Sequence, residues 1–446
     1  MRRIFISALA LSFLMVGPLF GGGSNESSIG GRANSPRPFS WTAYSGTTIR
    51  FLADMHPWVD VIKPRLAEFE RLTGIHVDMS VYPEDQFRTK LTIELMSGTT
   101  SVDTFMIMPG QDLARYTESN WLQPLGPYLS SAGLTASDYD PADLFESALQ
   151  AGVKGSRSYT IPIQLETSLL AYNKEVFARY DLTVPRTMDE LLQTAKTVYE
   201  RSNGTIFGIT MRGKRAAATS QWVDFLHSYG GDWLKPDGTA AIDSPQAIEA
   251  TDLYGKLLRL YGPKSGPSNS WYESISIFMQ GKAAMIYDAN VFKAEYENPK
   301  SSSVAGNVGY APIPEGPAGS VPHVSSWSLG IYSNSQHKEA AWLFIQWATG
   351  KDMELTALLN GIPSARSSAW NSPQFKSEDR TPEWTRATLA SYRVATPHWN
   401  PPVIPVAECR DAVGNAIVAS ILGDDTGTAL RAAGLQMDRI VAAPSW

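Results

Sequence analysis

Tyr159-Thr-Ile-Pro-Ile-Gln164-Leu-Glu166-Thr-Ser168-Leu-Leu-Ala-Tyr-Asn173-Lys-Glu-Val-Phe177 opens as an apolar strand, carries a carboxylate flanked by hydroxyls, and resumes as a second apolar strand. A strand buried on both faces tolerates a charge at its midpoint only where that point faces a cleft, because an unpaired carboxylate is costly to bury. The stretch therefore reads as one extended segment crossing between two lobes, with Glu166, Thr167 and Ser168 in the gap.

The chain upstream alternates strands with helices. Residues 48–53 read as a strand and residues 57–73 as one helix, with Val59, Ile62, Leu66 and Phe69 at helical spacing and Gly74 as its stop. Ile75, Val77, Met79 and Val81 alternate with polar residues, the pattern of a strand. A helix over 86–96 and a buried strand over 102–108 follow. This alternation implies a parallel sheet covered on both faces. Ligands of such sheets sit beyond the carboxyl ends of the strands. Those ends are Asp54-Met-His56-Pro-Trp58, Tyr82-Pro-Glu-Asp-Gln86 and Pro109-Gly-Gln111-Asp112, all polar or aromatic.

Downstream, Thr187-Met-Asp-Glu190 has the form of a capping box ahead of an apolar helix over 191–199. A short strand over 207–211 leads into Arg212-Gly-Lys214-Arg215. Ser244-Pro245 starts a helix that runs to 260, residues 271–280 form another, and a strand over 282–288 ends in Asp288-Ala-Asn290. Residues 324–331 read as a second crossing and 360–366 as a third extended passage, with an amphipathic helix over 337–348 between them.

Several of these motifs, in this order, resemble one family. "Ile-Pro-Ile-x-x-Glu" followed by "Leu-x-Tyr-Asn-Lys-Glu" is similar to the first interlobe crossing of the maltose-binding-protein type of extracellular solute-binding proteins, the family 1 sugar receptors of ABC importers. Tyr82-Pro-Glu-Asp-Gln86, Phe278-Met-Gln-Gly-Lys-Ala-Ala-Met285, Lys338-Glu-Ala-Ala-Trp342 and Gly361-Ile-Pro-Ser-Ala-Arg366 extend the resemblance over nearly all of the chain beyond its leader. Within the family the chain looks most like the sugar and sugar-alcohol receptors. The resemblance implies an α/β, two-lobe periplasmic-binding-protein-like fold of type II, with discontinuous lobes joined by a multi-strand hinge around a ligand cleft. Lobe one is expected at 47–163 plus 329–361 and lobe two at 168–323 plus 368–446, with crossings near 164–167, 324–328 and 362–367. It further implies a receptor, not an enzyme, that captures a carbohydrate or polyol and presents it to the transmembrane subunits of a permease.

Polyhydroxylated ligands call for carboxylates and amides that take paired hydroxyls, and for aromatic faces against C–H surfaces. Glu166 matches a ligand-contacting carboxylate of the family; its bland alternative is a hinge carboxylate paired with a lysine. Asp288 and Asn290 stand at the family's cleft turn. Gln111 and Asp112 close a lobe-one strand, and helix N-capping would equally explain Asp112. Trp271 and Trp327 are the candidate platforms, whereas Trp58 and Trp399 read as core. His56 beside Trp58 could bond a hydroxyl or serve structure alone. Arg366 is a candidate for a hydroxyl pair or an anionic group, with a salt bridge to lobe two as its structural alternative. Arg212, Lys214 and Arg215 read as a solvated loop before a phosphate clamp.

Bulk composition narrows the field. The 446 residues are 43% hydrophobic and 18% charged, which describes a globular chain long enough for two domains. A net charge of −6 gives nucleic acid little to bind to. The one cysteine, Cys409, excludes an internal disulfide and any cysteine-based zinc site, and the six histidines show no metal-ligand spacing. No cofactor is expected, and the chain is expected to be a monomer. Catalytic motifs such as Gly-x-Ser-x-Gly and His-Glu-x-x-His are absent. Two alternatives remain: a secreted carbohydrate hydrolase using Glu166 and Asp288, or a receptor of the same fold for a polyamine, peptide or anion. At the N-terminus, Arg2-Arg3 and the apolar run 4–16 read as an export signal over 1–23, followed by a flexible leader over 24–46. The expected location is periplasmic or cell-surface associated, and Gly22 stands where a lipidated cysteine would have to be, which counts against a lipid anchor.

Overall fold

The computed structural model describes residues 38–443; the expected export signal and the first part of the leader lie outside them. The leader's last residues belong to the fold, because Phe39, Trp41 and Tyr44 pack against the core. Phe39 meets Trp41 edge-on, with ring centroids 5.1 Å apart.

Among the described residues, ten strands build the two principal sheets: β1 (Thr48–Asp54), β2 (His76–Tyr82), β3 (Thr104–Ile107), β4 (Thr160–Pro162), β5 (Glu166–Asn173), β6 (Phe207–Thr210), β7 (Ala283–Ala289), β8 (Val308–Ala311), β9 (Val324–Ser325) and β10 (Ser328–Ile331), beside a small hairpin at Val153–Lys154 and Arg157–Ser158. Sheet one has the order β2-β1-β3-β10-β4, and sheet two the order β8-β5-β7-β6 with β9 paired to β5. Sheet one is mixed, not parallel throughout: β10 runs antiparallel to both β3 and β4. The reason is topological. The chain leaves sheet one after β4 and returns from sheet two through β9, so β10 enters from the end at which β3 and β4 leave.

We call the halves built on these sheets lobe one and lobe two. Each has its own aromatic core. Phe51 packs on Phe344 and Phe69 on Phe344 in lobe one, at 5.1 and 5.5 Å between centroids. Trp222 packs on Trp233 and Phe225 on Tyr254 in lobe two, at 5.2 and 5.1 Å. Burying such rings is the main driving force for each half.

Local chemistry sets the element ends. The helix expected over 57–73 is two helices, Pro57–Ile62 and Leu66–Thr73, joined by a 3₁₀ turn at Lys63–Arg65. Pro64 lacks the N–H that would continue the hydrogen-bond ladder. Gly74 ends the second helix at φ 71°, a left-handed conformation suited to glycine. The Thr187 hydroxyl accepts from Glu190 N–H as a capping box requires, but Glu190 reaches back to Arg186 N–H instead of the cap residue. The second crossing is two short strands, β9 and β10, separated by Ser326 and Trp327.

Candidate functional site

Strand direction concentrates polar side chains between the lobes. β1 and β2 run parallel, with Asp54 opposite Tyr82, so both strands end at the same edge of sheet one. There His56 caps the helix Pro57–Ile62, and Glu84 opens the helix Glu84–Ser97. From the other side, Ser168 of β5 pairs with Ala289 of β7, which sets the start of β5 against the end of β7. β6 runs parallel to β7 and delivers Arg212 just past its own end. Glu166, Asp288 and Arg212 therefore face the strand ends of lobe one.

Glu166 does not pair with a lysine. Its Oε1 lies 3.2 Å from His56 Nε2 and accepts from Gln164 Nε2 at 2.5 Å. His56 Nδ1 accepts from Trp58 N–H at 3.2 Å, which in a neutral ring leaves the proton on Nε2, aimed at Glu166. Asp288 takes Arg212 through both oxygens, at 2.6 and 3.2 Å, and Gln221 Nε2 at 2.9 Å. Arg88 bridges Glu84 and Asp112 at 2.9 Å each, so Asp112 is an ion-pair partner and not a helix cap. Burial pushes the Glu84 carboxyl up, but Arg88, with Arg212 and Arg410 behind it, outweighs burial and holds it below the usual carboxylate range.

Asp54 behaves differently. It is 1% exposed and its Oδ1 has no hydrogen-bond partner. Burial, then the charge of Glu84, raises its carboxyl well above the usual range despite Arg88. Two further buried acceptors are unpaired beside it in the network, Gln164 Oε1 and Gln221 Oε1.

Contacts that cross between the lobes clamp this cluster. Trp271 Nε1 donates to Glu84 at 3.2 Å, Glu84 N–H donates to the Tyr272 hydroxyl at 3.1 Å, and Lys214 pairs with Asp85 at 2.9 Å. Arg410 donates to Gln111. Its other partners, Thr219, Ala216 and Ser220, are neutral, and burial together with the charge of Arg88 lowers its pKa to about 10. Trp271 stacks on Tyr272 and on Phe292, with centroids 3.5 and 5.1 Å apart. Trp271 and Tyr272 line two seam cavities. One of about 510 Å³ is shared with Glu84, Arg88, Arg212 and Arg410, and one of about 300 Å³ with His56, Asp60 and Glu295. A larger groove of about 1020 Å³ lies on lobe one around Trp41 and Trp347; lobe two contributes nothing to it, so closure leaves it unchanged.

The structure thus brings together His56, Gln111, Asp112, Glu166, Trp271 and Asp288 of the sequence candidates. Trp327 is beside them, but Arg88 covers its ring at 5.2 Å. Asn290 serves the crossing: its Oδ1 accepts from Thr167 N–H and its Nδ2 donates to the Tyr392 hydroxyl, both at 3.2 Å. Arg366 lies elsewhere. It is fully buried within lobe one, bonded to Thr349 and Asp140 carbonyls at 2.7 and 2.8 Å, and its acidic neighbour is Asp143 of lobe one, not a residue of lobe two. Of the Arg212-Lys214-Arg215 group, Lys214 and Arg215 are solvated, in exposed pairs with Asp85 and Asp411, whereas Arg212 is drawn inward by the buried Asp288. Trp58 and Trp399 are both buried as core, Trp399 with the Arg410 guanidinium over its ring at 5.0 Å. Asp54, Glu84, Arg88, Gln164, Gln221 and Arg410 were not singled out from sequence. Asp54 and Glu84 fall in the polar strand ends noted above, but nothing marks Arg410 in mid-helix.

The sequence profile of the bacterial extracellular solute-binding proteins matches residues 53–354. The chain belongs to that family. This solute-binding protein is 33% identical over 360 residues to the erythritol/L-threitol-binding protein of Mycolicibacterium smegmatis, a match covering 75% of this chain and 74% of the relative. It is 27% identical over 337 residues to the mannitol-binding protein of Pseudomonas aeruginosa, covering 73% and 74%. Among solved structures, a solute-binding protein from Agrobacterium radiobacter in complex with ribitol superposes with a TM-score of 0.81 at 25% identity, covering 89% of this chain and 99% of that one. The solute-binding protein has the two-lobe fold of these receptors, with its cleft at the seam described above.

Proposed function

We propose that this solute-binding protein is the extracytoplasmic receptor of an ABC importer and closes on a short-chain sugar alcohol held at Asp54, Glu166 and Trp271, with Asp288 fixing Arg212 behind them. One observation carries the reading: three buried acceptors of the seam network, Asp54 Oδ1, Gln164 Oε1 and Gln221 Oε1, are unpaired, as is the Ser168 hydroxyl on the crossing. Leaving such atoms unmatched is costly, and a ligand rich in O–H donors matches them. An alditol offers one hydroxyl on every carbon and C–H surface for the aromatic residues of the seam. The alditols in the relatives' names agree with this chemistry. Ligand bridging both lobes shifts an open–closed equilibrium, and the closed form is what the permease receives.

Hydrolysis fits the geometry poorly. Both Asp288 oxygens are committed to Arg212, Gln221 and Ala289 N–H, so neither is free to act on a scissile bond. A thermal-shift screen with alditols, monosaccharides and disaccharides tests the proposal, since a ligand that binds the folded state raises Tm by mass action. A rise with at least one alditol, and no reducing ends released from oligosaccharides, is expected. Cleavage products, or a response confined to peptides or anions, would overturn it.

A further inference from the structure

The three crossings meet around a small hydrophobic cluster apart from the main core. Leu165 of the first crossing and Val324 of the second pack there with Ala148, and Phe145, Tyr392 and Ala395 close around them. Hydrogen bonds join the passages at the same place. Leu165 N–H donates to Pro363 O of the third passage at 3.0 Å, and the Thr167 hydroxyl donates to His323 O, beside the second, at 2.8 Å. Phe145 comes from lobe one and Tyr392 from the end of the lobe-two helix Pro382–Tyr392. Their rings meet edge-on, with centroids 6.0 Å apart.

The polar centre of the cluster is the Tyr392 hydroxyl. It donates to Leu165 O and accepts from Asn290 Nδ2 at 3.2 Å, while Asn290 Oδ1 accepts from Thr167 N–H at 3.2 Å. The Leu165 carbonyl belongs to the peptide unit before Glu166, and Thr167 N–H to the unit after it. Peptide units are planar, so pinning both of them sets φ and ψ of the residue between. Two mutually bonded side chains of lobe two therefore fix the backbone from which the Glu166 carboxylate projects. A contact residue held in place beforehand lowers the ordering cost of binding. We infer that Tyr392 is a positioning residue of the receptor, which acts through Leu165 O and Asn290 to set the orientation in which Glu166 meets its ligand. The inference rests on the polyol reading, which places Glu166 in the site.

The test is a double-mutant cycle read by calorimetric titration of the full chain with erythritol and ribitol. Tyr392→Phe keeps the ring against Phe145 and Trp370 and removes the hydroxyl alone. It should lower affinity roughly fivefold, the net worth of one hydrogen bond. In the Glu166→Ala background the same substitution should change affinity by less than about twofold, because the side chain it orients is gone. Asn290→Ala frees Thr167 N–H and should show the same dependence on Glu166. Thermal melts check that the variants fold; a tyrosine that served stability alone would lower Tm and leave affinity where it was. Full affinity in Tyr392→Phe, or an equal fold-loss in both backgrounds, would overturn the inference and leave the polyol reading standing. Failure of the wild-type chain to bind either alditol would overturn both.

Discussion

The indole N–H of Trp271, on lobe two, donates to the carboxylate of Glu84, on lobe one, at 3.2 Å. One side chain thus supplies a latch between the lobes and the centre of the seam's aromatic stack. Substitution separates the two. Trp271→Phe keeps a ring and loses the donor, and should weaken alditol binding by about 0.5–1.5 kcal/mol, the net worth of a hydrogen bond. Trp271→Ala loses both and should cost about 1–3 kcal/mol by titration calorimetry.

Gly110 lets the lobes meet. A β-carbon there would lie 2.6 Å from Trp399 Nε1, and Asn400 Nδ2 donates to Gly110 O at 3.0 Å from the same loop. Gly110 belongs to lobe one and Trp399 to lobe two, so the clash arises on closure. Gly110→Ala should leave Tm of the unliganded protein near wild type and lower alditol affinity by about 1–3 kcal/mol, the usual penalty of overpacking. A distance measurement between labels on the two lobes should show a wider mean separation. Cys409 will not interfere with labelling, being buried with its thiol pushed up to about 12.

Asp54 makes both stability and binding depend on pH. Its carboxyl is raised well above the ordinary range, first by burial and then by Glu84. Between the ordinary carboxylate range and that raised value the native state holds a proton that the unfolded chain has released. Stability therefore falls as pH rises through the window. Asp54→Asn should remove this slope and gain most over wild type at the alkaline end of a Tm series. Hydroxyls donating to Asp54 favour its ionised form, so wild-type alditol affinity should rise with pH across the same window, and the Asn variant should be weaker and flat.

Glu166 tests the crossing itself. Removing its carboxylate in Glu166→Ala leaves His56 and Gln164 without their shared acceptor. A loss of about 1–3 kcal/mol in alditol binding is expected, with the circular dichroism spectrum unchanged. Unaltered affinity would remove Glu166 from the site.

Arg366 should show the opposite pattern. Fully buried and bonded to two carbonyls, it organises the third passage by holding Thr349 and Asp140. Arg366→Met strands those two buried carbonyls, while Asp143 keeps its bonds from Ser367 and Ser368, and should cost about 1–3 kcal/mol of stability for each carbonyl in denaturant melts. Alditol affinity of the folded fraction should remain that of wild type.

Much of the fold was legible because it depends on short-range patterns. Period-2 and helical spacings marked β1, β2 and the helices after them, and the misplaced charge at Glu166 marked the crossing. Pro64 was also in view; its break in the first helix follows from the missing N–H and not from the apolar spacing around it. The direction of β10 was not legible, since it follows from the chain's return through lobe two. Site residues divided the same way. Glu166 and Asp288 sit at strand ends, where sequence position implies spatial position. Arg410 and Gln221 lie inside helices, and only the docking of those helices turns them toward Gln111 and Asp288. Arg366 stood next to a crossing in sequence, yet its partners are carbonyls that no local pattern announces.

The most direct measurement is calorimetric titration of the intact chain with erythritol, L-threitol, ribitol and mannitol. One-to-one saturable binding of at least one of them, abolished or strongly weakened in the Asp54→Asn, Glu166→Ala double variant, is the predicted result. No binding of any alditol by a correctly folded chain, or full affinity in the double variant, would contradict a polyol receptor built on this seam.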